Sequence, residues 1–134
     1  MYYKILFILL VLPITLFSLN CQDSLNISHN IEKDGSVTFS FPANSCCFIS
    51  LPIKRTPIII TITVYDLTSK TIVWSLDTGF VNLFGVKVKS IKYGIPPDWF
   101  TEHHRAKPLI KGHKYFIKIN IPGGQGDHLF QYIY

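Results

Sequence analysis

Beyond its first twenty residues the chain has no segment of about 11 or more residues that keeps a 3.6-residue apolar period, which excludes a helical bundle or a helix-clad parallel sheet. Charge is sparse as well. Asp, Glu, Lys and Arg make up 16% of the 134 residues, with 13 basic and 8 acidic side chains and a net charge of +5. The basic residues are dispersed over Lys33, Lys54, Arg55, Lys70, Lys87, Lys89, Lys92 and the segment from Arg105 to Lys118, with no long basic run. This pattern lacks the footprint of nucleic-acid binding and leaves only a weak attraction for anionic lipid or polysaccharide. Catalytic signatures are missing too: no paired carboxylates, no serine or cysteine in a nucleophile elbow, and no phosphate loop. Gly123, Gly124 and Gly126 follow one strand and lead into another, so they read as a hairpin turn that uses positive φ angles. The expectation is a protein that is not an enzyme and needs no cofactor.

What is present begins with a leader. Met1 to Lys4 precede an apolar run from Ile5 to Phe17, followed by Ser18, Leu19, Asn20 and Cys21. That is the layout of a secretory signal, and the run is shorter than the roughly 20 residues of a membrane-spanning helix. Residues 1–20 therefore read as a signal peptide with its signal helix, 21–34 as a polar tether, and 35–134 as one domain with a single core. Cys21 stands where a bacterial lipoprotein carries its lipid. Ser18 and Asn20 depart from the usual lipidation pattern, whereas Gln22 suits an outer-membrane destination.

The other cysteines, Cys46 and Cys47, are adjacent. Neighbours on a strand point to opposite faces, so a bond between them would be strained. Two uses of Cys21 follow: it carries lipid while Cys46 and Cys47 remain thiols, or it forms a disulfide with one of them.

Short strands fill the rest. Val37, Phe39 and Phe41 alternate with polar neighbours, and Pro42 to Ser45 reads as a turn. Ile58 to Tyr65 is β-branched almost throughout and reads as a central strand, joined through a turn at Asp66 to Lys70 to a partner with Ile72, Trp74 and Leu76. Leu83 to Tyr93 reads as one long strand, with Phe84, Val86 and Val88 inward and a bulge near Ser90. Tyr115 to Ile121 and Leu129 to Tyr134 read as the last two strands.

The segment Leu109 to Tyr115 has the spacing of a tyrosine corner, in which Leu109 and Gly112 precede Tyr115 and its hydroxyl bonds the backbone a few residues upstream. Turn signals every 8 to 12 residues, roughly, suit a sandwich. The predicted fold is all-β: an immunoglobulin- or fibronectin-III-like β-sandwich of about seven antiparallel strands after the signal helix.

Between Gly94 and Lys107 the chain reads as irregular, with Pro96, Pro97, Trp99, Phe100, His103 and His104. Trp99 and Phe100 on a proline-bounded loop are the candidate contact residues, or else they cap the core. His103 and His104 sit on the same loop. Adjacent histidines on extended chain diverge and no third ligand stands at a recognised spacing, so no metal site is assigned.

The strand with Val73 and Trp74, then Ile91, Lys92, Tyr93, Gly94 and Pro97, then Ala106, Lys107, Pro108, Leu109, Gly112 and Tyr115, resembles a group of small uncharacterised lipoproteins and secreted proteins of Gram-negative bacteria. The resemblance covers roughly the last half of the chain. It implies a cell-envelope β-sandwich and transfers no active site. The expected function is an outer-membrane lipoprotein or periplasmic protein that binds an envelope protein or a polysaccharide through end loops. The alternatives are a soluble secreted assembly subunit with a Cys21 disulfide and, in the minority, a small metal-binding enzyme. Intact-mass measurement on protein from the membrane fraction is expected to show a diacyl or triacyl increment on Cys21; an unmodified Cys21 would remove the tether.

Overall fold

In the computed structural model the isoleucine-dense run supplies the middle of the larger sheet. The structure describes residues 25–42, 44–48, 51–79, 82 and 84–134. The expected signal helix and Cys21 lie outside these residues. The described chain is all-β: β1 (Ser28–Ile31), β2 (Val37–Ser40), β3 (Asn44–Phe48), β4 (Leu51–Arg55), β5 (Ile58–Ile59), β6 (Thr61–Asp66), β7 (Thr71–Asp77), β8 (Val86–Lys87), β9 (Ser90–Lys92), β10 (Thr101–His104), β11 (Lys114–Ile121) and β12 (Gly124–Gln131). Every pairing is antiparallel. A five-stranded sheet runs β10-β7-β6-β11-β12, a three-stranded sheet runs β1-β2-β9, and β3-β4 and β5-β8 form separate two-stranded pairs.

Two runs that read as single strands are divided, which accounts for two of the strands beyond the expected seven. At Ile60 the isoleucine run bends: the Ile60 amide donates to Asn120 O at 2.8 Å and its carbonyl accepts from Thr78 N at 3.0 Å. Ile58 and Ile59 then pair with β8, while β6 lies between β7 and β11. The run from Leu83 to Tyr93 divides in the same way. Val88 N still bonds Pro57 O at 3.1 Å, but Lys89 O already accepts from Phe41 N at 2.8 Å, so the chain changes partners between those two residues. Phe84, expected inward, is 86% exposed, because the chain joins β5 only after Gly85. Gly85 is at φ +82°, and a Cβ there would lie 2.7 Å from Ile59 O.

Period-two burial places Val37 and Phe39 of β2 against Ile62 and Val64 of β6 and Tyr115, Ile117 and Ile119 of β11 in one core. Aromatic rings bind the two larger sheets together. Phe39 meets Phe130 edge-on at 5.3 Å, and Tyr93 meets Trp74 at 5.2 Å. One bulge matters for the interior. Val64 pairs with Trp74 but Tyr65 pairs with Ile72, so Val73 is the extra residue and both Val73 and Trp74 are buried.

Three further expectations change. Residues 25–34 are not a tether: Leu25 is buried in the core and β1 pairs with β2 from Ser28↔Ser40 to Ile31↔Val37. Their polar composition reflects an edge strand whose Ser28, His29 and Asn30 are exposed. The segment 94–107 contains β10, which pairs with β7 through Thr101↔Asp77 and Glu102↔Leu76. Finally, the strand at the end starts at Gly124, since the turn needs only Pro122 and Gly123, with Gly123 at φ +79°.

Asp66 closes β6 and is buried, where its carboxylate accepts from Thr68 N at 2.8 Å, Ser69 N at 3.2 Å and His113 Nδ1 at 2.8 Å. Burial pushes the carboxyl up, but the hydrogen bonds from His113, Ser69 and Thr68 outweigh it and hold Asp66 below its ordinary 3.8. A depressed carboxyl contributes stability that is present above the unfolded value and is lost as pH falls through the folded one. Acid titration of folding stability should therefore show a loss below about pH 4 that is flattened in Asp66→Asn. Asp66→Ala should cost about 1–3 kcal/mol at neutral pH in denaturant melts, because it strips acceptors from buried donors.

Candidate functional site

The bulge that turns Trp74 inward creates a need at the edge of the larger sheet: an indole N–H inside the core requires an acceptor. Glu102, half-buried on β10, supplies it, accepting from Trp74 Nε1 at 2.9 Å. The same carboxylate oxygen accepts from Ala106 N at 3.3 Å. Tyr93 packs on Trp74 and donates its hydroxyl to Lys107 O at 2.7 Å, with Val73 O 3.2 Å away. Burial pushes the Tyr93 hydroxyl well up, the Tyr115 and Glu102 charges act in the same direction, and it stays a donor. Lys107 N donates to Val73 O at 2.9 Å, which lays the segment after β10 against the bulge.

These groups form the wall of an open depression of about 460 Å³, lined by Tyr93, Gly94, Glu102, Arg105, Ala106 and Lys107 and closed by Pro108. Gly94 turns the chain at φ +80°, and a Cβ there would touch the Ala106 Cβ at 3.4 Å. The exposed Arg105 and Lys107 and the anchored carboxylate of Glu102 thus surround a hollow that offers charges of both signs.

Beside it, the loop from Ile95 to Phe100 separates its two aromatic residues. Phe100 is half-buried and packs on the core, whereas Trp99 is 69% exposed, near an Ile95 that is 57% exposed. Phe100 N donates to Pro97 O at 3.3 Å, and Trp99 inside that turn takes φ 72°. For a bulky residue this region costs on the order of 1–3 kcal/mol. Of the two candidate contact residues, only Trp99 presents its ring to solvent.

His103 is the extra residue in the register shift of β10, between Glu102 and His104, and the two histidines do not converge. His103 Nε2 bonds the Asp77 carboxylate, and His104 Nδ1 lies 2.8 Å from Ser75 Oγ. Among the described residues no three His, Cys, Asp or Glu side chains gather as a metal-holding set. Cys46 and Cys47 stand in β3 opposite Ile53 and Pro52, and the disulfide expectation, which rests on their side chains and on Cys21, lies outside the described residues.

At the turn before β11, Ile110 N donates to the Tyr115 hydroxyl at 2.8 Å, which is the contact a tyrosine corner requires. Gly112 is at φ +85°, Leu109 packs on the core, and the buried Tyr115 ring stacks on Phe130 at 5.4 Å. Burial pushes this hydroxyl up as well.

Two groupings carried no sequence signal. Trp74 and Glu102 are 28 residues apart and meet only through sheet pairing. His29 and His128 are 99 residues apart, yet His29 Nδ1 lies 2.8 Å from His128 Nε2. Burial lowers the His29 pKa, and His128 acts in the same direction.

No family model, curated protein or solved structure matches the chain. The geometry alone describes the hollow: a carboxylate fixed by the core and two cations. Glu102→Leu leaves the Trp74 N–H unpaired and should cost about 1–3 kcal/mol in chemical denaturation, whereas Glu102→Gln keeps an acceptor and should cost less than about 1.

Proposed function

We propose that the chain is a non-enzymatic protein of the bacterial cell envelope, an immunoglobulin- or fibronectin-III-like sandwich that binds an envelope protein or a cell-wall polysaccharide through the segment Gly94 to Lys107. Membrane attachment through a lipid on Cys21, or residence in the periplasm, belongs to the same proposal. The reading of a sandwich draws support from the two facing sheets with a shared core and from the Tyr115 contact ahead of the final hairpin.

The single observation that carries the binding proposal is Trp99. Its ring is mostly exposed and contributes nothing to the core, while its backbone is in a region that bulky residues avoid. An exposed aromatic on a loop is a feature that binding surfaces favour, because the flat ring gives contact area at low entropic cost. The resemblance to Gram-negative envelope proteins agrees with this placement.

Trp99→Ala is expected to leave the melting temperature near that of the native chain and to weaken retention on isolated cell-wall polysaccharide or on a purified envelope partner by about tenfold or more, as loss of a central aromatic contact does. Unchanged retention on both in the folded variant would overturn the role given to this loop.

A further inference from the structure

At the side of the fold where β1 and β12 form the outer edges of their sheets, the two strands place one histidine each against the other. His29 is the partner of Phe39 in the β1–β2 ladder, and His128 is the partner of Ile117 in the β11–β12 ladder, so both rings hang from backbone held by regular pairing. The ring centroids are 5.0 Å apart with the planes tilted by 48°, and Phe130 lies 5.2 Å from the His29 ring on the core side. His29 is exposed and His128 is half-buried, which leaves one side of the pair open to water.

The facing nitrogens, His29 Nδ1 and His128 Nε2, are 2.8 Å apart. Two ligand nitrogens at about 2.0 Å from one metal ion are about 2.8 Å apart when they subtend a right angle and about 3.3 Å apart at the tetrahedral angle. The observed 2.8 Å is the separation of a ring-to-ring hydrogen bond, and it is within the reach of two nitrogens that share one ion. Imidazole nitrogen suits copper, nickel and zinc, and among divalent ions of the first row copper(II) binds nitrogen donors most tightly. We infer that His29 and His128 form a two-histidine site for a divalent metal, copper(II) foremost, which joins the edges of the two sheets.

The chemistry balances without a redox step. In the unliganded pair one facing nitrogen carries the hydrogen shared between the rings. On binding, that hydrogen moves through solvent to the other nitrogen of its own ring, both lone pairs turn to the metal, and two of the metal's water ligands leave. The remaining positions keep water, since among the described residues no third His, Cys, Asp or Glu side chain joins the pair. The site is therefore open and exchangeable. It is independent of the loop around Trp99.

The test is titration of the full chain with copper(II) sulfate, followed by the histidine ring signals in proton NMR and by electron paramagnetic resonance. Less than one equivalent should broaden the His29 and His128 ring signals before those of His103, His104 and His113, and the resonance spectrum should show two nitrogen ligands. His29→Gln and His128→Gln should each weaken copper binding by about tenfold or more, with zinc(II) bound less tightly than copper(II) by the native chain. The double variant His103→Gln with His104→Gln should bind as the native chain does. Near-native thermal melts verify that each variant is folded, and His128→Asn serves where His128→Gln is not. Copper binding that survives loss of either histidine, first broadening at His103 and His104, or equal affinity for zinc(II) would overturn the assignment.

Discussion

Trp74 lies in the interior with its indole N–H pointed at the edge of the larger sheet, and the surrounding chain is arranged around that one donor. A buried donor left unpaired costs about 1–3 kcal/mol, a substantial part of the stability of a small domain. The bulge at Val73 creates the demand by burying two consecutive residues of β7. Glu102 meets it, so β10 must pair with β7 in the register that places Glu102 opposite Leu76. Ala106 N then binds the same carboxylate, Lys107 bonds back to Val73, and the Tyr93 hydroxyl reaches across to Lys107 O. The hollow beside Glu102 is thus a by-product of satisfying the core. Its carboxylate is fixed by the interior, so its position is set by the core.

The opposite side of the fold is joined by different means. Leu25 enters the core beside Gly126, where a Cβ would lie 2.7 Å from both the Leu25 Cβ and its carbonyl oxygen. Only a glycine permits that approach, so the glycines after Pro122 serve packing as well as turning. Next to this point the His29, His128 and Phe130 rings fill the gap between the sheet edges. At the end of the larger sheet, Asp66 receives backbone donors from its own hairpin and a ring nitrogen from His113, while the Tyr115 hydroxyl accepts from Ile110. Here polar side chains serve segments that have no ladder of their own, as buried polar groups must.

Much of this was legible locally. Alternation marked β2, β6, β7 and β11, and the hairpin between β6 and β7 followed from the polar residues after Tyr65. The spacing of Leu109, Gly112 and Tyr115 lies beside the contact between Ile110 N and the Tyr115 hydroxyl. The divisions at Ile60 and at Val88 were not legible. A strand that changes sheets keeps the same residue types, and only its partners reveal the change. β1 was hidden for a related reason: its exposed residues are polar, and an edge strand supported from one side shows little alternation. The contact between Glu102 and Trp74 and that between His29 and His128 arise from sheet pairing across long separations, so no local spacing announces them.

Trp99 differs from the aromatic residues whose rings pair in the core. Phe39, Trp74, Tyr93, Tyr115 and Phe130 are each tied to a neighbouring ring within about 5.5 Å, the range of favourable aromatic packing. Trp99 instead lies outside, on a loop whose neighbouring Phe100 already supplies the apolar anchor to the core. Relaxing the φ of 72° would require reversing the turn from Pro97 to Phe100 and withdrawing that anchor. Packing of the half-buried Phe100 on the core therefore opposes the strain at Trp99. The loop holds its indole outward because its phenylalanine is held inward, and the exposed ring is a fixed element of the surface.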